Sequence, residues 1–408
     1  MSDGMLTADQ VLVKQINKAI VLNTIQKNET VFRAEIAKKT GLNRSTVSGL
    51  VDELLADGLI LETGIGISQG GRKPVILSIN RNYGSIIGVD CGVNYILIVL
   101  TNFAGEILLE RRIPVSAADL PEERIGLLKQ LIQETINSAP SSVSGIIGIG
   151  ICVPGIVNYE EGLILQTPNL NWHNVPLKKI IQDQFQIPVL IDNDANAGAI
   201  GEKWFGLGKK ATDLVYLSAG IGIGTGVLIK NELYRGASGL AGEMGHVTIH
   251  MHGRRCSCGN IGCWEEYAAE KALLNFISEN IGNYPATGFL DKHHIGQLTV
   301  FEIVQAAKAG DPLSIAALKH IGQQLGIGVA NIINTFNPST VIIGNTLAVA
   351  EEFILDELKA EVKARCFTAK YYPITIVCSA LGIYAGAMGA ASLILSRVFA
   401  APVTQQKL

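Results

Sequence analysis

The chain has 408 residues, 33 Lys and Arg against 36 Asp and Glu, 48% apolar residues and 44 glycines, for a formal charge of −3. That length exceeds one ordinary hydrophobic core, so two or three tightly turned α/β units are expected, and the charge excludes nucleic-acid binding by bulk positive charge alone. The polar, acidic start MSDGMLTADQ lacks a signal peptide's apolar segment, and no stretch approaches the ~18 uncharged apolar residues of a membrane span; a cytoplasmic protein with no membrane partner is expected.

Residues 1–80 hold nine basic against eight acidic side chains, so their arrangement matters more than their sum. Val13, Ile16, Ile20 and Ile25 recur near a 3.6 period within residues 9–27, predicting a first amphipathic helix. A second is expected over residues 33–39, followed by Thr40-Gly41-Leu42, a glycine turn of the kind that lets two helices cross steeply. Asn43 is a natural N-cap for a third helix. Along it Val47, Leu50, Val51, Leu54 and Leu55 repeat at i, i+3, i+4, i+7 and i+8 and form an inward stripe. Arg44, Ser45, Thr46 and Ser48 lie near the other face, where short polar side chains and a cation suit base edges. With Arg33 and Asn43 they make up the expected DNA-contacting set.

Two strands are predicted over residues 59–63 and 75–79, around a glycine-rich loop tipped by Gln69-Gly70-Gly71-Arg72-Lys73-Pro74. This is the pattern of a winged helix-turn-helix, with Arg72 and Lys73 on a cationic wing that follows phosphates or enters a minor groove. A small helical oligomerisation domain explains the inward stripe equally well, but not the polar recognition face or the basic wing.

From residue 85 the texture changes to strand, tight turn, strand, over residues 86–90, 95–101 and 106–114, and a helix follows over 121–138. The same order recurs with strands over 214–218 and 224–230 and a third short strand leading to a helical region. Two copies of one unit predict a duplicated, two-lobed α/β fold with a cleft, an order that fits the actin-like, sugar-kinase architecture. In it the turns Asp90-Cys91-Gly92-Val93-Asn94 and 220–226, GIGIGTG, would present backbone N–H groups to phosphates. Glycines at such spacing also simply close tight hairpins. The expected division is residues 1–80 for the winged helix-turn-helix, 81–195 for the first lobe, completed by a C-terminal helix at about 384–402, and 196–383 for the second lobe.

Between the two halves of the second unit lies GEMGHVTIHMHGRRCSCGNIGCWE, residues 242–265. His246, Cys256, Cys258 and Cys263 supply one imidazole and three thiolates in the spacing of a closed, tetrahedral, structural Zn²⁺ site. His250 and His252 compete with His246 on spacing alone. Disulfide pairing is the other use of such cysteines, but the chain has seven, an odd number, and nothing directs it to an oxidising compartment. Cys91, Cys152, Cys366 and Cys378 sit in apolar runs and are expected to be small buried hydrophobes.

The GH-x9-CxCGxxGCxE string resembles the signature of the ROK family of sugar kinases and sugar-responsive repressors. A winged helix at the N-terminus marks the repressor branch. The likeness spans nearly the whole chain, and GIGICVPGIV, SGLAGEMGH and CSCGNIGCWEEYAAEKALL are most similar to the family's xylose-responsive repressors of Gram-positive bacteria. The resemblance implies that Asn193, Asp194, Glu243, His246 and Glu265 bind sugar hydroxyls, and that His246, not His250 or His252, both ligates zinc and orients the sugar. It also implies that Asp194 matches the kinases' general base, here vestigial.

The nucleotide side departs from the kinase pattern. Val93 and Asn94 stand where the kinases carry glycine and threonine, and Asn345 follows Gly344 in place of a second glycine, so bulk faces the phosphates on which transfer depends. The resulting expectation is a repressor, not an enzyme, that binds operator DNA as a homodimer or higher homo-oligomer and is released by a monosaccharide inducer, xylose. The alternative is an active sugar kinase with an accessory DNA-binding domain.

Overall fold

The computed structural model describes residues 10–28, 30–65, 74–285 and 295–400. Three helices, α1 (Gln10–Gln26), α2 (Arg33–Thr40) and α3 (Arg44–Ala56), precede an antiparallel pair, β1 (Ile60–Ile65) and β2 (Val75–Ile79). Gly41 ends α2 at φ +74°, where a side chain would be strained. The Asn43 side chain accepts the Thr46 N–H at 2.7 Å and caps α3 as its residue type predicts. Val47, Leu50, Val51 and Leu54 are buried and Leu55 is half-buried, so the inward stripe is real. The wing residues Arg72 and Lys73 lie outside the described residues.

The chain then builds β3 (Ser85–Cys91), β4 (Tyr95–Asn102), β5 (Ile107–Pro114), α4 (Pro121–Asn137) and β6 (Ile146–Val153). A small antiparallel sheet follows, β7 (Ile156–Asn158), β8 (Leu163–Thr167) and β9 (Trp172–Val175), which the sequence pattern does not announce. Next come α5 (Leu177–Phe185), β10 (Val189–Asn193) and α6 (Asp194–Trp204). The second unit comprises β11 (Leu214–Ala219), β12 (Ile223–Ile229), β13 (Glu232–Leu233), α7 (Glu265–Ala268), α8 (Glu270–Asn280), α9 (Val300–Lys308), α10 (Pro312–Phe336), β14 (Thr340–Gly344), α11 (Glu351–Arg365), β15 (Thr375–Cys378) and α12 (Ala385–Phe399).

The two five-stranded sheets run β5-β4-β3-β6-β10 and β13-β12-β11-β14-β15. In each, an antiparallel meander is extended by two parallel strands reached through helices. Both sheets therefore have one topology, which is the duplication expected from the repeated strand order. The central strands β3, β6 and β11 are almost wholly buried and read as continuous apolar runs, as strands covered on both faces do.

The last helix corrects an expectation. Residues Gly382–Phe399 are long and apolar enough, by length and composition, to cross a membrane, but 61% of that segment is buried inside the protein. A helix apolar on every side is one enclosed on every side. Here α12 lies on the first sheet: a methyl group on Gly88 would meet the Ala387 carbonyl, and one on Gly150 would meet that of Ala390. The free cysteines Cys91, Cys152, Cys366 and Cys378 are all buried, as their apolar surroundings predict.

Gly150→Ala forces its new methyl into backbone, which no side-chain rotation relieves. Overpacking of this kind costs about 1–3 kcal/mol or more, so the variant should unfold at a lower denaturant concentration than wild type, measured by circular dichroism.

Candidate functional site

Of the residues expected to read DNA, Asn43, Arg44 and Ser45 are exposed, and Thr46 and Ser48 are half-buried. The structure gives several of them local work. The Asn43 carboxamide also accepts the Ser45 hydroxyl at 2.8 Å. Arg33 spans three elements, donating to Asp52 at 2.8 Å and Ser48 at 3.1 Å on α3, with its other nitrogen 3.4 Å from Glu62 on β1. It ties the recognition helix to the wing strand. Lys38 and Arg44 line one open depression between α2 and α3, a cationic feature suited to phosphate.

The second site starts where β10 meets α6. Strand ends and helix N-termini are where α/β folds offer ligands open backbone. The Asn193 side chain accepts the N–H groups of Ala195 and Asn196 at 2.8 and 3.2 Å, and donates to the Gly155 carbonyl at 3.0 Å. It caps α6 and pins it to the loop after β6. Asp194 is the first residue of that helix. Burial pushes its carboxyl up to about 7, and the nearby Asp90 carboxylate pushes the same way. Asp90 is itself raised to about 6 by burial, against hydrogen bonds from the Tyr95 hydroxyl at 2.8 Å and the Cys152 thiol at 3.6 Å.

Glu243 and His246 flank a single 3-10 turn, Met244–His246, after β13. Burial raises the Glu243 carboxyl; His246 opposes that rise and Glu265 adds to it. Glu265, at the start of α7, accepts the Ile223 N–H at 2.8 Å. Asp194 also feels Glu243, so Asp194, Glu243, His246 and Glu265 share one electrostatic neighbourhood. Such a set of acceptors matches a ligand rich in hydroxyl donors.

His246 faces a second group. Its Nδ1 is 3.6 Å from the Cys256 sulfur, and the Cys258 and Cys263 sulfurs are 3.7 Å apart. A tetrahedron with Zn–S bonds of about 2.3 Å and Zn–N bonds of about 2.05 Å has S···S near 3.8 Å and N···S near 3.6 Å. The donor set therefore fits a tetrahedral metal ion, and all four ligand atoms lie within 4.8 Å of one another. All seven cysteines are free thiols. His250 instead packs its ring against Tyr267 at 4.4 Å and a 48° tilt, and neither it nor His252 joins the cluster.

Sequence reasoning missed the Arg235 pair. Arg235, beyond β13, grips the buried carboxylate of Asp192 with both guanidinium nitrogens, at 3.2 and 2.6 Å, and lies 3.7 Å over the Tyr159 ring. Asp192 belongs to the first sheet and Arg235 follows the second, so the pair clasps the two across the site. A lone Arg in a loop carries no periodic signal.

The glycine-rich turn departs from its expected use. The Gly220 N–H bonds the Gly222 carbonyl at 3.0 Å, and the Ile223 N–H is taken by Glu265, so two amides expected to face phosphate are spent internally. Asn345, at φ +67°, donates to Ser218 at 3.0 Å and leans over Gly220. Side-chain bulk fills that corner, in line with the departures in sequence.

Residues 86–397 match the model of the ROK family, and residues 15–63 match that of the MarR family. The chain belongs to the ROK family. The xylose repressor of Caldicellulosiruptor bescii is 45% identical over 394 residues, covering 97% of this chain and 99% of that one. A solved ROK family transcriptional regulator, described as a homologue of the E. coli MLC protein, matches with a TM-score of 0.83 at 27% identity over 97% of this chain and 98% of its own. A ROK family glucokinase from Streptomyces griseus, solved with glucose and AMPPNP, matches at a TM-score of 0.70 and 29% identity, covering 76% of this chain and 99% of its own.

The raised Asp194 carboxyl has a stability consequence. Its folded value of about 7 stands above the ordinary 3.8, so the folded state holds the proton more tightly. Stability then falls as pH rises from about 4 to 7. Asp194→Asn removes that loss: at pH 8 the variant should melt above wild type by roughly 1 °C per kcal/mol regained, and at pH 4 the two should coincide. Scanning calorimetry at both pH values measures this.

Proposed function

We infer that this protein is a sugar-responsive transcriptional repressor, with a monosaccharide as its effector and xylose as that monosaccharide. The observation that carries the reading is the union, in one chain, of a capped recognition helix with an exposed Arg44 and a cluster of acceptors at the N-terminus of α6. The resemblance to a xylose repressor over nearly the full length of both chains supports the choice of sugar.

In this reading residues 1–80 bind operator DNA, and residues 81–195, completed by about 384–402, and residues 196–383 enclose the sugar. Arg44, Ser45, Thr46 and Ser48 approach base edges; Arg33 and Asn43 hold the recognition helix in place, and Arg72 and Lys73 follow the backbone. Asp194, Glu243 and Glu265 accept sugar hydroxyls, His246 orients them, and Asn193 fixes the helix end from which Asp194 projects. Zn²⁺ held by His246, Cys256, Cys258 and Cys263 supplies structural closure of the loop between β13 and α7. The protein acts in the cytoplasm as a homodimer whose symmetry matches a palindromic operator.

Sugar binding favours the arrangement of the two sheets in which its hydroxyls are all accepted, and that arrangement is incompatible with operator spacing. A decisive switch requires the sugar to favour it by about 5 kcal/mol. Asp194 at a helix N-terminus also suits proton abstraction from a sugar hydroxyl, which keeps a kinase as the second reading. Against it stand the spent amides of the glycine-rich turn and the bulk of Asn345.

Fluorescence anisotropy on labelled promoter DNA, with xylose, glucose, other sugars and their phosphates, tests the reading. Release of specific binding by xylose alone is expected. Sugar-insensitive binding, with ATP turnover that Asp194→Ala abolishes, would replace the repressor with the kinase. The metal assignment is tested separately by Cys258→Ser: zinc content should drop from about one per chain and the melting temperature should fall by about 5 °C or more. Unchanged zinc content removes Cys258 from the ligand set.

A further inference from the structure

Helix α6 has the sugar site at one end and the DNA-binding elements close to the other. It begins with Asp194, capped by Asn193, and its 11 residues end at Trp204, a rod of about 16 Å. Glu202 near its far end is buried and accepts the Ser379 hydroxyl and the Leu207 N–H, which fastens the helix to the second sheet.

Along its length α6 touches α12 backbone to backbone. A methyl group on Gly389 would strike the Ala197 carbonyl, and one on Gly201 would press on the Gly389 backbone. With no flexible side chains between them, neither helix shifts without moving the other, because close-packed interiors transmit strain.

At the far end the contacts become specific. The Trp204 indole N–H donates to the Ser396 hydroxyl at 2.9 Å, and its ring lies 5.3 Å from that of Phe399 at 58°. Phe399 also stacks on Phe103 at 5.4 Å. The Phe399 carbonyl accepts a 2.7 Å hydrogen bond from the Asn23 side chain on α1. Around this junction Val21, Leu22 and Ile25 of α1 share one buried cluster with Ile394, Leu395 and Phe399 of α12.

We propose that Trp204 is the positioning residue that couples sugar occupancy to operator binding, passing a shift of α6 through Phe399 to Asn23 and so to α1. The proposal rests on the repressor reading and names its route. A ligand that draws Asp194 toward Glu243 and Glu265 pulls on the N-terminus of a rigid helix. The displacement reappears at Trp204, next to the hydrogen bond from Asn23 that ties the last turn of α12 to α1. None of Trp204, Phe399 and Asn23 belongs to the sugar or DNA-contacting sets, so they set the coupling and not either affinity.

The test uses the full-length protein, wild type, Trp204→Phe and Asn23→Ala, on labelled operator DNA. The quantity compared is the ratio of operator affinities without and with saturating xylose, so a variant that changes either affinity alone still reports. Trp204→Phe keeps a ring but loses the Ser396 bond; Asn23→Ala deletes the hydrogen bond to Phe399 at a half-buried position and spares the core. Both should reduce the ratio by about tenfold or more. By reciprocity, operator DNA should weaken xylose binding by the same ratio in wild type, and by correspondingly less in the variants. A wild-type protein released by xylose alongside variants released equally well overturns the relay. A wild-type protein released by no sugar overturns the repressor reading, and the relay with it.

Discussion

The contact between α6 and α12 is the constraint on which the rest of the molecule depends. Each helix covers one sheet, α12 through Gly88 and Gly150 on the first, α6 through Gly198 and Gly226 on the second, and the two meet through Gly389 and Gly201. At each crossing but Gly198, which faces the Tyr216 ring, a backbone atom occupies the place of a side chain. Angles set by side chains adjust as rotamers change, but those set by backbone contact do not. The two duplicated sheets are therefore coupled along this seam, and the carboxylates of Asp194, at the start of α6, and Asp90, against Gly386 of α12, lie at one end of it.

Those carboxylates are under-partnered. Asp192 receives both nitrogens of Arg235, yet Asp90 is met only by a hydroxyl and a thiol, and Asp194 accepts no side-chain hydrogen bond among the described residues. Buried acids in this state are costly as anions, which is why both carboxyls rise toward neutrality. A polyol answers the deficit, since each hydroxyl donates to one acceptor and adds no charge. For a sugar bound as proposed, binding and relief of crowding are one event, which gives it different affinities for different arrangements of the two sheets. A phosphate group would add negative charge beside the same acids, and the glycine-rich turn has already spent amides that would receive it.

Much of this was legible in sequence, and the reason lies in range. Asn43 as a cap, the stripe Val47, Leu50, Val51 and Leu54, and the repeated strand-turn-strand order all depend on neighbours within a few residues, where spacing and residue type decide the outcome. The convergence of His246 with Cys256, Cys258 and Cys263 is also short-range. What spacing could not give depends on pairing across the fold. Arg235 with Asp192 joins residues 43 positions apart, and Arg33, expected to contact DNA, also pairs with Asp52 and Glu62. Arg397 interrupts the apolar length of α12 near its end, and the helix's burial follows from glycines on other strands that no local pattern reveals.

His246 links the two halves of the site through one ring. Its Nδ1 faces the Cys256 sulfur at 3.6 Å, while Nε2 points toward Glu243, 4.0 Å away. An imidazole whose Nδ1 is engaged as an acceptor carries its proton on Nε2, and that proton then faces the carboxylate side of the cleft. Whatever fixes the cysteine loop thereby fixes the direction of a hydrogen-bond donor in a site otherwise made of acceptors. In the proposed sugar site, a hydroxyl that donates to Glu243 would accept from this nitrogen at the same time, so the ring would impose an order on hydroxyls that the carboxylates alone would accept in any order. For a sugar bound as proposed, selectivity among sugars of similar size depends on the integrity of a loop, residues 242–265, that begins seven residues beyond Arg235 of the clasp with Asp192.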